Sequence, residues 1–428
     1  MIPIFHFNTP AFSRFLKKIK FRGIAVNSEI QPTVSRILEQ VRKRGDRALF
    51  EYSRKFDQVE LKRLRISPEE IRTMSESADR DLRRVIRQAA RNIRDYHKHQ
   101  LEKSWEFQAA DGVKLGQRIE PLRSVGLYVP GGTAAYPSTV LMNAIPAQIA
   151  GVPRIVVTTP YRQFKQNPMI AAVFQELGLE DVYGIGGAQA IAALAYGTET
   201  IAKVDKIVGP GNIFVATAKR LVYGVVDIDS IAGPSEVIVV ADHTIPPQFV
   251  AADLLAQAEH DPRACAIAMV RRDSDARSIQ AAASQLMLTL KRKEIIRQSL
   301  RNFGAILVMP DWDQAAEIIN SIAPEHLELL LKEAKSFSKK IHAAGAIFLG
   351  SFSCEAVGDY FAGPNHVLPT SGTARFASPL GVYDFLKRTS VIQYNRKALS
   401  RNHRAIEAFA RTEQLDAHAQ SIAIRMRE

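Results

Sequence analysis

A chain of 428 residues is about three times the common domain size and therefore implies roughly two or three cores. With 46% hydrophobic, 24% charged and 8% aromatic residues, it falls outside the disordered, collagen-like and coiled-coil classes and within ordinary soluble globular proteins. The 57 basic residues exceed the 44 acidic ones by +13, but the excess is spread along the chain. It predicts long-range attraction to anions and no nucleic-acid partner.

The first 28 residues carry Lys and Arg but no acid, as a transit peptide might, yet they lack an uncharged core and a cleavage-like end. Residues 1–24 are therefore expected to form an ordered arm. Residues 29–103 read as helical. Ser67-Pro68-Glu69-Glu70 is a capping box with proline at the first helical position, and a long amphipathic segment follows it. There Arg80, Arg83, Arg84, Arg87, Arg91 and Arg94 recur at helical spacing opposite Met74, Ala78, Leu82, Ile86, Ala89 and Ile93. This is the solvated side of a helix, not a nucleic-acid motif.

From residue 124 short Val/Ile-rich runs alternate with helical segments. They cover 124–129, 154–158, 181–184, 204–208, 236–241, 265–270, 305–309 and 344–348. Continuously apolar strands joined by helices predict an α/β fold of largely parallel, doubly wound sheets, one or two in number. The Gly/Pro-rich stretch from Gly358 to Pro379 is read as loop, and the basic tail from Asp384 as a separate helical element. The expected division is an arm (1–24), a main domain (25–128 plus 236–380), a second α/β domain (129–235) and a C-terminal tail (381–428). No run of 18 apolar residues is present, which excludes a membrane-spanning helix.

Chemistry-bearing motifs are few. Glycine-rich turns follow three strands: Tyr128-Val129-Pro130-Gly131-Gly132, Gly184-Ile185-Gly186-Gly187-Ala188-Gln189 and Gly209-Pro210-Gly211-Asn212. Such turns let amides at a helix N-terminus approach phosphate, although none matches the Gly-x-Gly-x-x-Gly fingerprint, and βα turns need glycine for geometry alone. Two cysteines, Cys265 and Cys354, are too few for an all-thiolate zinc site and fit a reducing compartment, so a metal would need nitrogen and oxygen ligands. Gln257 and His260 share a helix face, and Asp359 lies among turn residues with Gly363-Pro364-Asn365-His366. Glu325 and His326, neighbours in an extended segment, would face opposite ways and serve different atoms. Glu413 and His418, five apart, read alone as surface charge.

In this order these stretches resemble the histidinol dehydrogenase family, from Arg44-Gly45-Asp46 to His418. The carriers are the Tyr128 to Gly132 turn with Tyr136-Pro137-Ser138, Gly186-Gly187-Ala188-Gln189-Ala190, Val208 to Asn212, Ala232-Gly233-Pro234-Ser235-Glu236, Gln257 to Pro262, Pro324-Glu325-His326, and Gly363 to Thr370. The resemblance implies a cytoplasmic, homodimeric enzyme that oxidises L-histidinol to L-histidine through the aldehyde, using NAD twice and one zinc ion per subunit. It implies two incomplete Rossmann-like domains, with residues 129–235 on the NAD side. Zinc would be held by Gln257, His260, Asp359 and His418, the last reaching across the dimer. Glu325 and His326 would move protons, with the substrate also contacted by Ser235, His366 and Glu413. Tyr128, Gln189 and Asn212 would contact NAD. Ser230, where methionine is usual, and Ser353-Cys354, where Thr-Pro is usual, depart from the family pattern without touching these roles. A relative acting on another polar alcohol, such as a sulfonated diol, is the nearest alternative, and a non-catalytic binding protein of the same fold is the next.

Overall fold

The computed structural model describes residues 1–22, 29–131, 137–231 and 233–427. Gly132, Tyr136 and Ala232 of the motifs above, and the expected arm boundary at residue 24, lie outside the described residues.

The apolar runs assemble into two six-stranded sheets. In the first, the order is Ile4–His6, Gly304–Val308, Cys265–Val270, Glu236–Ala241, His326–Leu330 and Ala346–Leu349, all parallel. Its central strands are buried along their whole length, so both faces need cover and neither tolerates the alternation of a half-exposed strand. Helices Pro10–Phe21 and Trp312–Ile322 cover one face, and Pro247–Ala258, Asp273–Leu286 and Lys293–Phe303 the other. In the second sheet the order is Arg65–Ile66, Val182–Tyr183, Arg154–Thr158, Ser124–Tyr128, Lys206–Val208 and Asp227–Ile228, parallel except at the Arg65–Ile66 edge. A third, antiparallel sheet joins Leu386–Gln393, Lys114–Pro121 and Trp105–Gln108. Helices Arg396–Thr412 and Asp416–Arg425 close the chain.

Several sequence expectations change. The described part of 25–128 adds no strand to the sheet of 236–380: Ser124–Tyr128 is a central strand of the second sheet, and Gln31–Tyr52 packs Val34, Ile37 and Leu38 against that sheet's helices. The arm is not separate from the first sheet, because Ile4–His6 is its edge strand and Phe12, Phe15 and Leu16 enter its core. The tail is helical over Arg396–Thr412 and Asp416–Arg425 as expected, but a strand the sequence did not reveal, Leu386–Gln393, precedes those helices and pairs along eight residues with Lys114–Pro121. His326–Leu330, absent from the apolar runs because Glu328 interrupts it, is also a strand.

Local signals upstream hold in part. Ser67 accepts the Glu70 amide at 3.2 Å, while the Glu70 carboxylate is engaged by Tyr161 at 2.7 Å instead of closing the capping box. The arginine-rich segment is cut at Asp79, which caps Arg80–Lys98 through the Leu82 amide. Leu82 itself is exposed; the buried face is Ala89, Ala90, Ile93 and His97.

The chain's direction decides where a site can form. Helices that follow strands of the first sheet run back and end at its amino edge, whereas helices of the second sheet start at its carboxyl edge. These two edges face each other across a cavity of about 740 Å³.

Candidate active site

From the second sheet, the turn Pro210-Gly211-Asn212 lines the cavity, and Asn212 caps helix Ile213–Val222 by accepting the Phe214 and Val215 amides at 3.0 and 3.2 Å. Gly209, with φ +108, lies so close to Tyr128 that a Cβ would sit 2.2 Å from the Tyr128 carbonyl oxygen, so only glycine fits. Asp229 accepts the Gly209 amide at 2.7 Å and pairs with buried Lys219, which donates to the Gly209 carbonyl at 3.0 Å. Tyr128 and Gln189 are buried at the same edge, with the Tyr128 hydroxyl accepting the Gly187 amide at 3.1 Å. Neither is among the described residues lining the cavity.

The first sheet supplies the reactive groups. Ser235, His260, Glu325, His326, Asp359 and His366 all line the cavity. Parallel pairing sets Val237 beside His326, which brings Glu236 against both proton-transfer candidates. The Glu236 amide donates to Glu325 Oε2 at 3.0 Å, and the Glu236 carbonyl accepts from His326 Nδ1 at 3.3 Å. A carbonyl partner requires the proton on Nδ1, so Nε2 carries the lone pair. Burial lowers the His326 pKa to about 3, keeping the ring neutral. Burial, then the Glu236 carboxylate, push Glu325 well above the ordinary carboxylate range. The two side chains do not diverge as an extended segment would have them. Glu325 precedes the ladder that begins at His326, and Glu325 Oε2 stands 3.9 Å from His326 Nδ1.

Beside them lies a donor cluster. Ligand atoms of His260, Glu355 and Asp359 fall within 4.8 Å of one another. Gln257 is wholly buried on the helix that delivers His260; with its amide nitrogen donating, it bonds both Glu355 oxygens at 3.1 and 3.2 Å, leaving its carbonyl oxygen on the opposite side. Burial raises Asp359 to about 6, and burial followed by the Asp359 and Glu325 charges raises Glu355. Crowded carboxyl groups at the negative end of helix Pro247–Ala258 suit a cation, which would reverse those shifts. The nitrogen and oxygen donors therefore fit a zinc-type ion.

Glu355 was not among the sequence candidates. Nor was Asp359 expected on a helix, yet Glu355–Tyr360 is one, its first amide donating to Glu328 at 2.6 Å. The signal was the acid pair four residues apart, which on a helix shares a face. His366 reaches the cavity because Asn365 is anchored to the Met142 carbonyl at 2.6 Å; burial lowers the His366 pKa to about 4. Glu413 and His418 are exposed on the tail and are not among the described lining residues.

Two opposed α/β layers with a shared cleft, a neutral imidazole, a carboxyl of raised proton affinity and a metal-competent donor set define the class as an α/β protein with a cleft equipped for acid-base chemistry. A histidinol dehydrogenase family model matches residues 21–426. The chain is 53% identical over 391 residues to histidinol dehydrogenase of Geobacillus kaustophilus (strain HTA426), covering 91% of this chain and 92% of that one. It is 51% identical over 408 residues to that of Bacillus subtilis (strain 168), covering 95% and 96%. The crystal structure of histidinol dehydrogenase from Elizabethkingia anophelis superposes with a TM-score of 0.93 at 36% identity, covering 100% of this chain and 98% of that one. This chain belongs to the histidinol dehydrogenase family and is an oxidoreductase. Among the described residues, no helix is long and apolar enough to cross a membrane.

Proposed function

We propose that this enzyme oxidises L-histidinol to L-histidine by way of the aldehyde, in the cytoplasm, with NAD as acceptor and one zinc ion per site. The observation that carries the reading is one cavity holding a thiolate-free donor set next to two proton-transfer groups of opposite character. When bound, NAD would accept hydride; it would enter over the Asn212 turn, with Tyr128 and Gln189 behind it. Zinc, held by Gln257, His260, Asp359 and His418 of the partner subunit, would supply a fixed positive centre for the substrate's imidazole and amine.

The chain's own groups divide the proton work. His326 Nε2, neutral and without a hydrogen-bond partner, takes the alcohol proton in the first oxidation. Glu325, whose burial makes it a strong base once ionised, activates the water that attacks the aldehyde. Ser235 and His366, which both line the cavity, orient the substrate. Glu413 and His418 complete the site from a second subunit; Trp105, Phe107, Ile392 and Phe409, all more than half exposed on the ribbon and tail, support a covered dimer face. Each histidinol should reduce NAD twice in a spectrophotometric assay of NADH. NADH formed from a sulfonated diol, and none from histidinol, would replace this reading with the alternative.

A further inference from the structure

Arg22 ends helix Pro10–Phe21 in the N-terminal arm, far in sequence from every group that touches substrate. Its guanidinium nevertheless lies under the cavity, with side-chain exposures of 2% for Arg22 and 4% for Glu236. It donates to Glu236 Oε2 at 3.0 Å, to the Pro234 carbonyl at 2.8 Å and to the Arg263 carbonyl at 3.0 Å. The other Glu236 oxygen accepts the Ser371 amide at 2.6 Å, while Gly233, one turn away, donates to Thr370 Oγ1 at 2.7 Å. Glu236 is thus held at both carboxylate oxygens, and its own amide and carbonyl hold Glu325 and His326. A buried ion pair is weak evidence for stability, since apolar replacements often match it, so its geometry calls for another explanation.

We propose that the Arg22–Glu236 ion pair is a positioning device for the proton-transfer pair: the arm locks the Pro234-Ser235-Glu236 turn, and the backbone of Glu236 sets the placement of Glu325 and His326. Neither Arg22 nor Glu236 touches substrate in this scheme. The assignment of the water-activating step to Glu325 rests on the functional reading above.

The test uses the intact, metal-loaded enzyme and measures single turnovers from alcohol and from aldehyde. Three variants are compared with Glu325→Gln and His326→Asn: Arg22→Lys, Arg22→Met, and the double variant Arg22→Met with Glu236→Gln, which removes both charges together. Misplacement by about an ångström predicts losses of roughly 10- to 100-fold in both half-reactions, each smaller than the loss from the residue it positions. The KM for histidinol should stay within about threefold, and Arg22→Lys should recover part of the rate. In the double variant, melting temperature should return toward the parent while the rates remain low. Recovery of melting temperature and both rates together would overturn the proposal, as would a loss confined to KM. If Arg22→Met and the double variant fail to fold, Arg22→Lys decides: parental rates, or a change in KM alone, refute the positioning role. The division of labour fails separately, if Glu325→Gln itself slows both half-reactions equally.

Discussion

The two parallel sheets use opposite edges to build one cleft. At the second sheet, helices beginning at Pro137 and Ile213 bring their amino ends to the cavity, where the partial positive charge suits the phosphates of a dinucleotide. At the first sheet, helices Pro247–Ala258 and Trp312–Ile322 end there, and their carboxyl termini favour a cation beside Gln257, His260 and Asp359. Each edge also has a buried ion pair bracing its loop: Lys219 with Asp229 at the glycine turn, and Arg22 with Glu236 at the reactive turn. The usual rule that α/β sheets bind ligands at their carboxyl ends describes only the second sheet. Facing the sheets amino edge to carboxyl edge gives one cavity two ends of opposite polarity, which is what the proposed dinucleotide acceptor and metal-bound substrate would each require.

The largest effect should come from emptying the cation end. Chelation should abolish turnover while circular dichroism still reports a cooperatively folded protein, because no thiolate cage holds the core together. His260→Asn should weaken zinc and histidinol binding together, by an expected tenfold or more in titration calorimetry. Unfolding on metal loss would break the view that this end serves substrate alone.

Next comes the proton-transfer pair. Glu325→Gln should slow aldehyde oxidation about 100-fold or more and spare alcohol oxidation, with the reverse for His326→Asn, in single-turnover measurements from each substrate. For the tail, Glu325→Gln and His418→Asn subunits, both deficient in aldehyde oxidation, are mixed, with exchange verified by mass and aldehyde oxidation taken as the activity measured. A shared site leaves one intact cavity per heterodimer and restores activity; silence after exchange would place the tail's action in its own subunit.

A smaller effect is expected from Glu355→Gln, which exchanges one acceptor of the Gln257 amide for a donor. Zinc affinity should fall about 10- to 100-fold in competition with a chelator, with the apo-protein's melting point nearly unchanged. The smallest concerns the strand behind the site. Burial, then the Asp253 charge, raise the Glu328 pKa from 4.5 to about 9. The folded form thus keeps a proton that the unfolded chain has lost across this window, and stability falls as pH rises through it. Glu328→Gln mimics the protonated acid, so its melting temperature should vary less between about pH 5 and 9, by roughly 2 °C.

Composition and periodicity alone determined the α/β class, the crossover helices and, among the described residues, seven of the nine strands longer than two residues in the two parallel sheets, because strands buried on both faces must be apolar throughout. Turn glycines and the motif order pointed to the family and to the groups now found along one cavity: Asn212, Ser235, His260, Glu325, His326, Asp359 and His366. Long-range pairing was not legible. Whether Ser124–Tyr128 joined one sheet or the other depended on which helices could cover it, and no local pattern encodes that choice. The ribbon strand Leu386–Gln393 escaped notice because it is exposed on both faces and shows no alternation. Glu355, Glu236 and Arg22 were silent for a related reason: a charged residue in sequence reads as surface, and only the tertiary fold, by burying it against a specific partner, turns it into part of a site.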